Sequence, residues 1–331
     1  MAGRIVHGGG LAAAASVYGG APADWLDLST GINPHAPDLP TLPIRVLQRL
    51  PDSELEEAVR VAARRFYQSG ARLPLPVPGT QSVIQLLPRL VKTARSVAIL
   101  APTYGEYERC LRAAGLAVDL IADLDEVCDR HGLVVVVNPN NPTGRVYAPD
   151  DLKAVAARLD GWGGLLVVDE AFADLSPEIS LAASERANLI VLRSFGKFFG
   201  MAGIRLGFVI ARDDVVAAFS DWLGPWSVSG PALYYASHLM TRDPEQLRAA
   251  IRVRSEALAR VVLSAGLEVR GAAGLFTLVT LPDAQRLHEH LCVNHILTRK
   301  FDYCDTWLRI GLAPDADADD RLAAALSTYV R

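Results

Sequence analysis

Five apolar runs, Val97–Leu100, Leu133–Val137, Leu165–Val168, Leu189–Leu192 and Leu206–Ile210, are continuous rather than alternating. A strand with one wet face reads apolar at every second position. A strand apolar at every position is buried on both faces, as in a parallel sheet with helices on either side. Around and between the runs lie helical candidates, Glu54–Tyr67, Ser82–Val91, Tyr104–Ala114 and Asp150–Leu159. This rhythm predicts an α/β layered domain: a mostly parallel sheet sandwiched by helices, with ligands at the carboxyl ends of its strands.

After Trp226 the character changes. Pro244–Ala265 reads as one long charged helix, followed by short strands at Phe276–Leu281 and Trp307–Gly311 and a terminal helix from Asp319. That pattern predicts a smaller α+β domain with an antiparallel sheet. At 331 residues the chain exceeds one comfortable core. The expected division is an arm over 1–40, a large domain over 41–225 and a small domain over 226–331.

Composition removes several classes. Half of the residues are hydrophobic, which excludes a disordered chain. Net charge is −4 with no basic run, which argues against a nucleic-acid footprint. Cys110, Cys128, Cys292 and Cys304 form no CxxC pair and have no His at zinc spacing, so no metal is expected and reduced thiols in the cytoplasm are. The longest purely aliphatic run, Leu133–Val137, is far short of a membrane span. The Ala-rich start is interrupted by Gly8–Gly10 and reads as mature protein rather than a leader.

Three stretches carry candidate chemistry. Asn138-Pro139-Asn140-Asn141-Pro142-Thr143-Gly144 follows a buried strand directly; it is either a plain Asx/Pro turn or a turn presenting amides into a cleft. Asp169 ends the next apolar run, where an unpaired carboxylate is costly. It either caps a helix starting there or meets a cation, and a protonated heterocyclic nitrogen suits it better than a metal, since Glu170 would point the other way. In Ser194-Phe195-Gly196-Lys197, the lysine lies among small and aromatic residues that disfavour its ammonium and free an amine nucleophile; a lone lysine is otherwise a solvated one. Ser194, Gly196 and Arg205 could hold an anion.

Asn141, Asp169, Ser194-x-x-Lys197 and Arg205, in that order and spacing, resemble the aspartate-aminotransferase superfamily of pyridoxal-phosphate enzymes, fold type I. The resemblance spans residues 79 to 311. It implies that Lys197 takes up the cofactor aldehyde, that Asp169 pairs with the pyridinium nitrogen, and that Asn141 hydrogen-bonds the ring 3-oxygen. Ser194 and Arg205 would hold the cofactor phosphate. Gly79-Thr80-Gln81 occupies the place of the family's first phosphate-binding turn. Tyr104 matches the aromatic that stacks on the ring, and Arg309 the clamp on the substrate carboxylate.

Within the superfamily the chain is similar to the branch shared by histidinol-phosphate aminotransferase and L-threonine-O-3-phosphate decarboxylase. His7-Gly8-Gly9 together with Ser29-Thr30-Gly31-Ile32-Asn33-Pro34 resembles the decarboxylases of cobalamin biosynthesis, in which these segments lie over the active site. That resemblance implies decarboxylation of L-threonine O-3-phosphate, with His7, Gly8, Asn33 and Arg299 as candidates for the substrate phosphate, and a homodimer with shared active sites. The runner-up is an aminotransferase acting on histidinol phosphate or a related amino acid. A binding protein without catalysis has no need of a desolvated lysine, and no G-x-G-x-x-G follows a strand to suggest a dehydrogenase.

The chain departs from the family pattern at three places. Leu50 stands where a Tyr often reaches the neighbouring subunit's cofactor phosphate. Phe172 stands where the aminotransferases commonly have a Tyr that makes a second hydrogen bond to the ring 3-oxygen. Thr80-Gln81-Ser82 replaces a commoner Ala-x-Glu.

Overall fold

The computed structural model describes residue 5, residues 7–91 and residues 95–329. They gather into two compact units, one over 37–141 and 146–244, the other from the described start to residue 36, over 142–145 and over 245–329.

The first unit is built on a seven-stranded sheet in the order Leu75–Val77, Gly207–Ile210, Leu189–Ser194, Leu165–Asp169, His131–Val137, Ser96–Leu100, Val118–Ile121. The last five are parallel to one another, and Gly207–Ile210 runs antiparallel to both of its neighbours. The expected α/β layering is thus present, with one reversed strand. Alternate residues reach opposite faces. Val97, Ile99, Leu133, Val135, Val137, Val167, Ile190, Leu192 and Val209 share one core cluster with Val83, Leu87, Tyr107, Leu111 and Phe219 of the covering segments. Val134, Val136, Leu166, Val168 and Val191, of the other parity, are equally buried, as are Leu152, Val155 and Leu159 of the helix Pro149–Asp160.

The helix Ser53–Phe66 starts where Asp52 accepts the Leu55 N–H at 3.0 Å, carries Glu54 and Glu56 in its first turn and Arg64 and Arg65 in its last, and so agrees with the helix dipole at both ends. Gly230–Leu239, placed by the sequence in the smaller domain, packs on this helix within the first unit. A side chain at Gly230 would stand 2.7 Å from the Val46 carbonyl oxygen, so the approach requires glycine.

The second unit holds a four-stranded antiparallel sheet in the order Arg299–Phe301, Cys304–Gly311, Phe276–Thr280, Glu268–Ala272. Its helices are Glu245–Ser264, Ala284–Val293 and Ala316–Ser327. Residues read as an arm contribute a helix, Leu11–Tyr18, and a short strand, Leu26–Asp27, parallel to Ile296–Leu297. Among the described residues, no helix is long and apolar enough to cross a membrane, and no group of three or more His, Cys, Asp and Glu is placed to hold a metal ion.

Candidate active site

In the first unit the candidate residues sit at one end of the sheet, and strand parity decides which side chains face it. Asp169 continues the set Leu165, Val167; Ser194 continues Ile190, Leu192. Both therefore fall on the face covered by the helix Glu106–Ala113. Glu170 and Arg193 take the opposite parity and meet each other instead.

Asp169 is buried. One carboxylate oxygen accepts the Tyr107 hydroxyl at 2.7 Å and the other the Ala171 N–H at 3.0 Å. The second bond is an Asx-type cap, yet only a short 3₁₀ turn, Ala173–Leu175, comes after it, so capping accounts for half of the group. Burial pushes the Asp169 carboxyl above its ordinary range; the Tyr107 and Ala171 bonds, then Lys197 and Arg193 acting through space, pull it back. Among the described residues no ammonium or guanidinium is paired with it. Tyr107 went unnoticed in the sequence. Its signal was the spacing of three from Tyr104, which puts Tyr104 just before the helix Glu106–Ala113 and Tyr107 in its first turn.

Lys197 sits in the single turn Phe195–Phe198, immediately after the strand that ends in Ser194. The turn is wedged by aromatics: Phe195 and Phe198 are fully buried, and Phe195 stacks on Phe199 with ring centroids 4.3 Å apart. A Cβ at Gly196 would lie 2.7 Å from the Ala202 Cα, so the turn closes only on glycine. The Lys197 ammonium lies 5.6 Å from the centroid of the Phe172 ring, which presents an aromatic face and no hydroxyl.

Arg205 adopts the left-handed region, φ 56° and ψ 56°, just before the reversed strand. Its guanidinium crosses Gly79: a Cβ there would stand 2.7 Å from Nη2, and the backbone φ of +76° is itself one that glycine adopts freely. Gly79 precedes the helix Thr80–Leu86, and the Thr80 amide nitrogen lies 2.9 Å from where a Gly207 Cβ would be. The turn Gly79-Thr80-Gln81, Arg205 and the strand holding Gly207, which pairs with Ser194, are thus brought together. The Gln81 side chain is held by Glu106 and Tyr104, leaving its backbone N–H as what this residue can offer an anion. Tyr104, mostly buried, has its phenol pushed up to about 12 by burial and by the nearby Glu106 and Asp169 charges.

The turn after His131–Val137 is braced by its other asparagines. Asn138 exchanges two hydrogen bonds with the Tyr147 backbone, at 3.1 and 2.9 Å, and Asn140 reaches the Pro102 carbonyl at 2.9 Å and accepts the Thr103 hydroxyl at 2.6 Å. Asn141 is half-buried beside them.

The remaining candidates belong to the second unit, and two of them, Arg309 and Gly8, meet at Ser29. Arg309, buried, donates to the Ser29 carbonyl at 2.8 Å and lies over the Phe276 ring. Gly8 packs so closely that a Cβ would be 2.5 Å from the same carbonyl oxygen, and the Gly9 N–H donates to the Ser29 hydroxyl at 2.7 Å. His7 is exposed. Asn33, buried, accepts the His35 N–H at 3.0 Å. Arg299 is the direct cross-strand partner of Arg309. Like charges facing each other across an antiparallel ladder repel, so this pairing does not stabilise the sheet.

The donors of the first unit fit pyridoxal phosphate. A buried carboxylate short of a cation suits a protonated ring nitrogen, a lysine held among aromatic rings suits an aldehyde, and a glycine cradle crossed by a guanidinium suits a phosphate.

Residues 23–326 match the model of the family described as aminotransferase class I and II. The chain is 59% identical over 329 residues to a threonine-phosphate decarboxylase of Sinorhizobium sp, covering 99% of each. It is 44% identical over 328 residues to a threonine-phosphate decarboxylase of Pseudomonas aeruginosa, covering 97% of each. Its fold superposes on the histidinol-phosphate aminotransferase of Sinorhizobium meliloti, solved in complex with pyridoxal-5'-phosphate, with a TM-score of 0.82 at 21% identity, covering 98% of this chain and 94% of that one. The sheet with its single reversed strand, the lysine turn beside it and this nearly full-length match place the chain in the family of class I and II aminotransferases.

Proposed function

We propose that this chain is a pyridoxal-phosphate-dependent lyase that decarboxylates L-threonine O-3-phosphate to (R)-1-amino-2-propanol O-2-phosphate in cobalamin biosynthesis. The observation that carries this reading is the end-to-end likeness to two threonine-phosphate decarboxylases. Phe172 supports it: the second ring-oxygen contact common in the aminotransferases has no donor here.

When bound, pyridoxal 5'-phosphate supplies a conjugated ring that accepts the electron pair released at Cα. Asp169 keeps a proton on the ring nitrogen, for which its shortage of cationic partners suits it. Lys197 would hold the cofactor aldehyde, and its amine, once released by the substrate, would carry a proton at Cα. Asn141 binds the ring 3-oxygen, Tyr104 stacks on the ring, and Ser194, Arg205 and the amides of Gly79, Thr80 and Gln81 bind the phosphate. Arg309 clamps the substrate carboxylate, and Arg299, His7, Asn33 and the Gly8 amide take the substrate phosphate. The proposed cofactor residues belong to the first unit and the proposed substrate-anion residues to the second. The second reading, an aminotransferase acting on histidinol phosphate, is supported by the family itself.

We also read the protein as a cytoplasmic homodimer. The four cysteines are unpaired, and Ile44, Leu47 and Leu50, 66%, 60% and 64% exposed, present apolar surface that a second copy would cover.

Holoenzyme given threonine phosphate should release carbon dioxide. Given histidinol phosphate and 2-oxoglutarate it should form no glutamate; glutamate without carbon dioxide would establish the second reading. Borohydride should fix the cofactor on Lys197, and Lys197→Ala should abolish that bond and lower turnover by at least about a thousandfold.

A further inference from the structure

Tyr104 is the end of a hydrogen-bond chain that begins at the surface. Its hydroxyl donates to Gln81 Oε1 at 3.2 Å, and Gln81 Nε2 donates to Glu106 Oε2 at 2.7 Å. Glu106, 4% exposed, receives Arg109 Nε at 3.0 Å and Nη2 besides. Each link has only one sense. An ionised carboxylate accepts and never donates, so the Gln81 amide must turn its nitrogen toward Glu106. Its oxygen then faces Tyr104, and the phenol must donate to it.

The geometry points to Glu106 as a positioning residue: its carboxylate, anchored by Arg109, sets the Gln81 amide and through it the hydroxyl and ring plane of Tyr104 against the cofactor. This rests on the reading of Tyr104 as the residue stacked on pyridoxal phosphate. Glu106 also accepts the Cys110 thiol at 3.9 Å. It opens a short helix whose first turn also holds Glu108, and an acceptor for Arg109 would be served at the surface without burial. A glutamine at 106 could donate or accept, which would leave the Gln81 amide free to turn over.

The test is a double-mutant cycle on the full-length protein, reading pyridoxal-phosphate dissociation by equilibrium dialysis and the visible band of the bound cofactor. Glu106→Gln should weaken retention about tenfold and shift the band, while the same substitution in a Tyr104→Phe background should change retention less than about twofold. Equal losses in both backgrounds would assign Glu106 to local packing and overturn the proposal. Gln81→Met breaks the chain with Glu106 and Arg109 left in place, and should reproduce the tenfold loss if Glu106→Gln folds poorly; unchanged retention in that variant also overturns it. A wild-type protein that binds no pyridoxal phosphate would sink the functional reading itself, a result distinct from an additive cycle.

Discussion

Asp169 ends its strand and Glu170 follows it directly; both are buried, yet the two faces of the sheet treat them oppositely. Glu170 is enclosed by Arg193, the Ser180 hydroxyl and the Leu181 N–H at 2.6 Å, and Arg193 in turn pairs with Asp174 and lies 4.5 Å from the centre of the Tyr67 ring. Burial works against the Arg193 charge, but Asp174 and Glu170 outweigh it and hold the guanidinium above its ordinary value. Asp169 has a phenol and one amide, and no cation in contact among the described residues. A buried carboxylate with its cation built in is architecture; one left to hydrogen bonds alone keeps its capacity for a cation that arrives later.

The strongest way to break this contrast is to neutralise each carboxylate in turn. Asp169→Asn should fold with an unchanged or higher melting temperature and lose about a hundredfold or more in turnover, since its charge matters only once a ring nitrogen is present. Glu170→Gln should lose about 3 kcal/mol of stability by denaturant melting, because it strips a buried guanidinium of one partner, while turnover per folded molecule stays near that of the wild type. If Glu170→Gln abolished turnover without lowering stability, the division between the two faces would be wrong.

A smaller effect sharpens the same contrast at the phosphate end. Gly79→Ala and Gly70→Ala both place a side chain on a positive-φ backbone, at +76° and +63°. Each should cost about 1–2 kcal/mol of stability. Only the first meets the Arg205 guanidinium, whereas nothing lies within 4 Å of a Cβ at Gly70. Dialysis should therefore show weaker cofactor retention in Gly79→Ala and none of that loss in Gly70→Ala.

The smallest effect concerns a third kind of buried group, one kept neutral. His288 binds Thr298 at 3.0 Å and lies 3.5 Å from the Cys292 sulfur, and burial, helped by Lys300, pushes it down to about 4 from 6.5. The unfolded chain therefore holds more protons than the folded one between those values. This contribution to stability is present above about pH 6.5 and is lost as the pH falls toward about 4. Melting temperatures of the wild type and His288→Gln should draw together on going from pH 7 to pH 5. A gap that widened instead would reverse the sign.

The sequence announced the middle of the sheet well because strands buried on both faces have nothing polar to blur them. The edges were silent. Leu75–Val77 contains Pro76, Val118–Ile121 carries Asp119 and an exposed Leu120, and Glu268–Ala272 is largely solvated, so none of them reads as a buried run. Nor did the run Leu206–Ile210 disclose its direction, because burial is blind to polarity of the chain. The helix expected over Ser82–Val91 begins at Thr80 and tightens to 3₁₀ over Leu87–Leu90, where Pro88 cannot continue the α ladder. Lys197, Asp169 and Asn141 stood out in the sequence as candidates because each lies at or just beyond the end of a buried strand. Tyr107 and the link from Glu106 to Gln81 did not, since side-chain geometry across separate elements leaves no local pattern.

The reversed strand has a bearing on the order in which the molecule assembles. Because Gly207–Ile210 doubles back beside Leu189–Ser194, the segment bearing Ser194, Lys197 and Arg205 closes on itself with a short loop, at little entropic cost. Gly79 and its neighbours come from far upstream and can join Gly207 only when the chain has closed a much longer loop. Loop closure therefore favours forming the lysine turn with its guanidinium before the glycine turn joins the cradle.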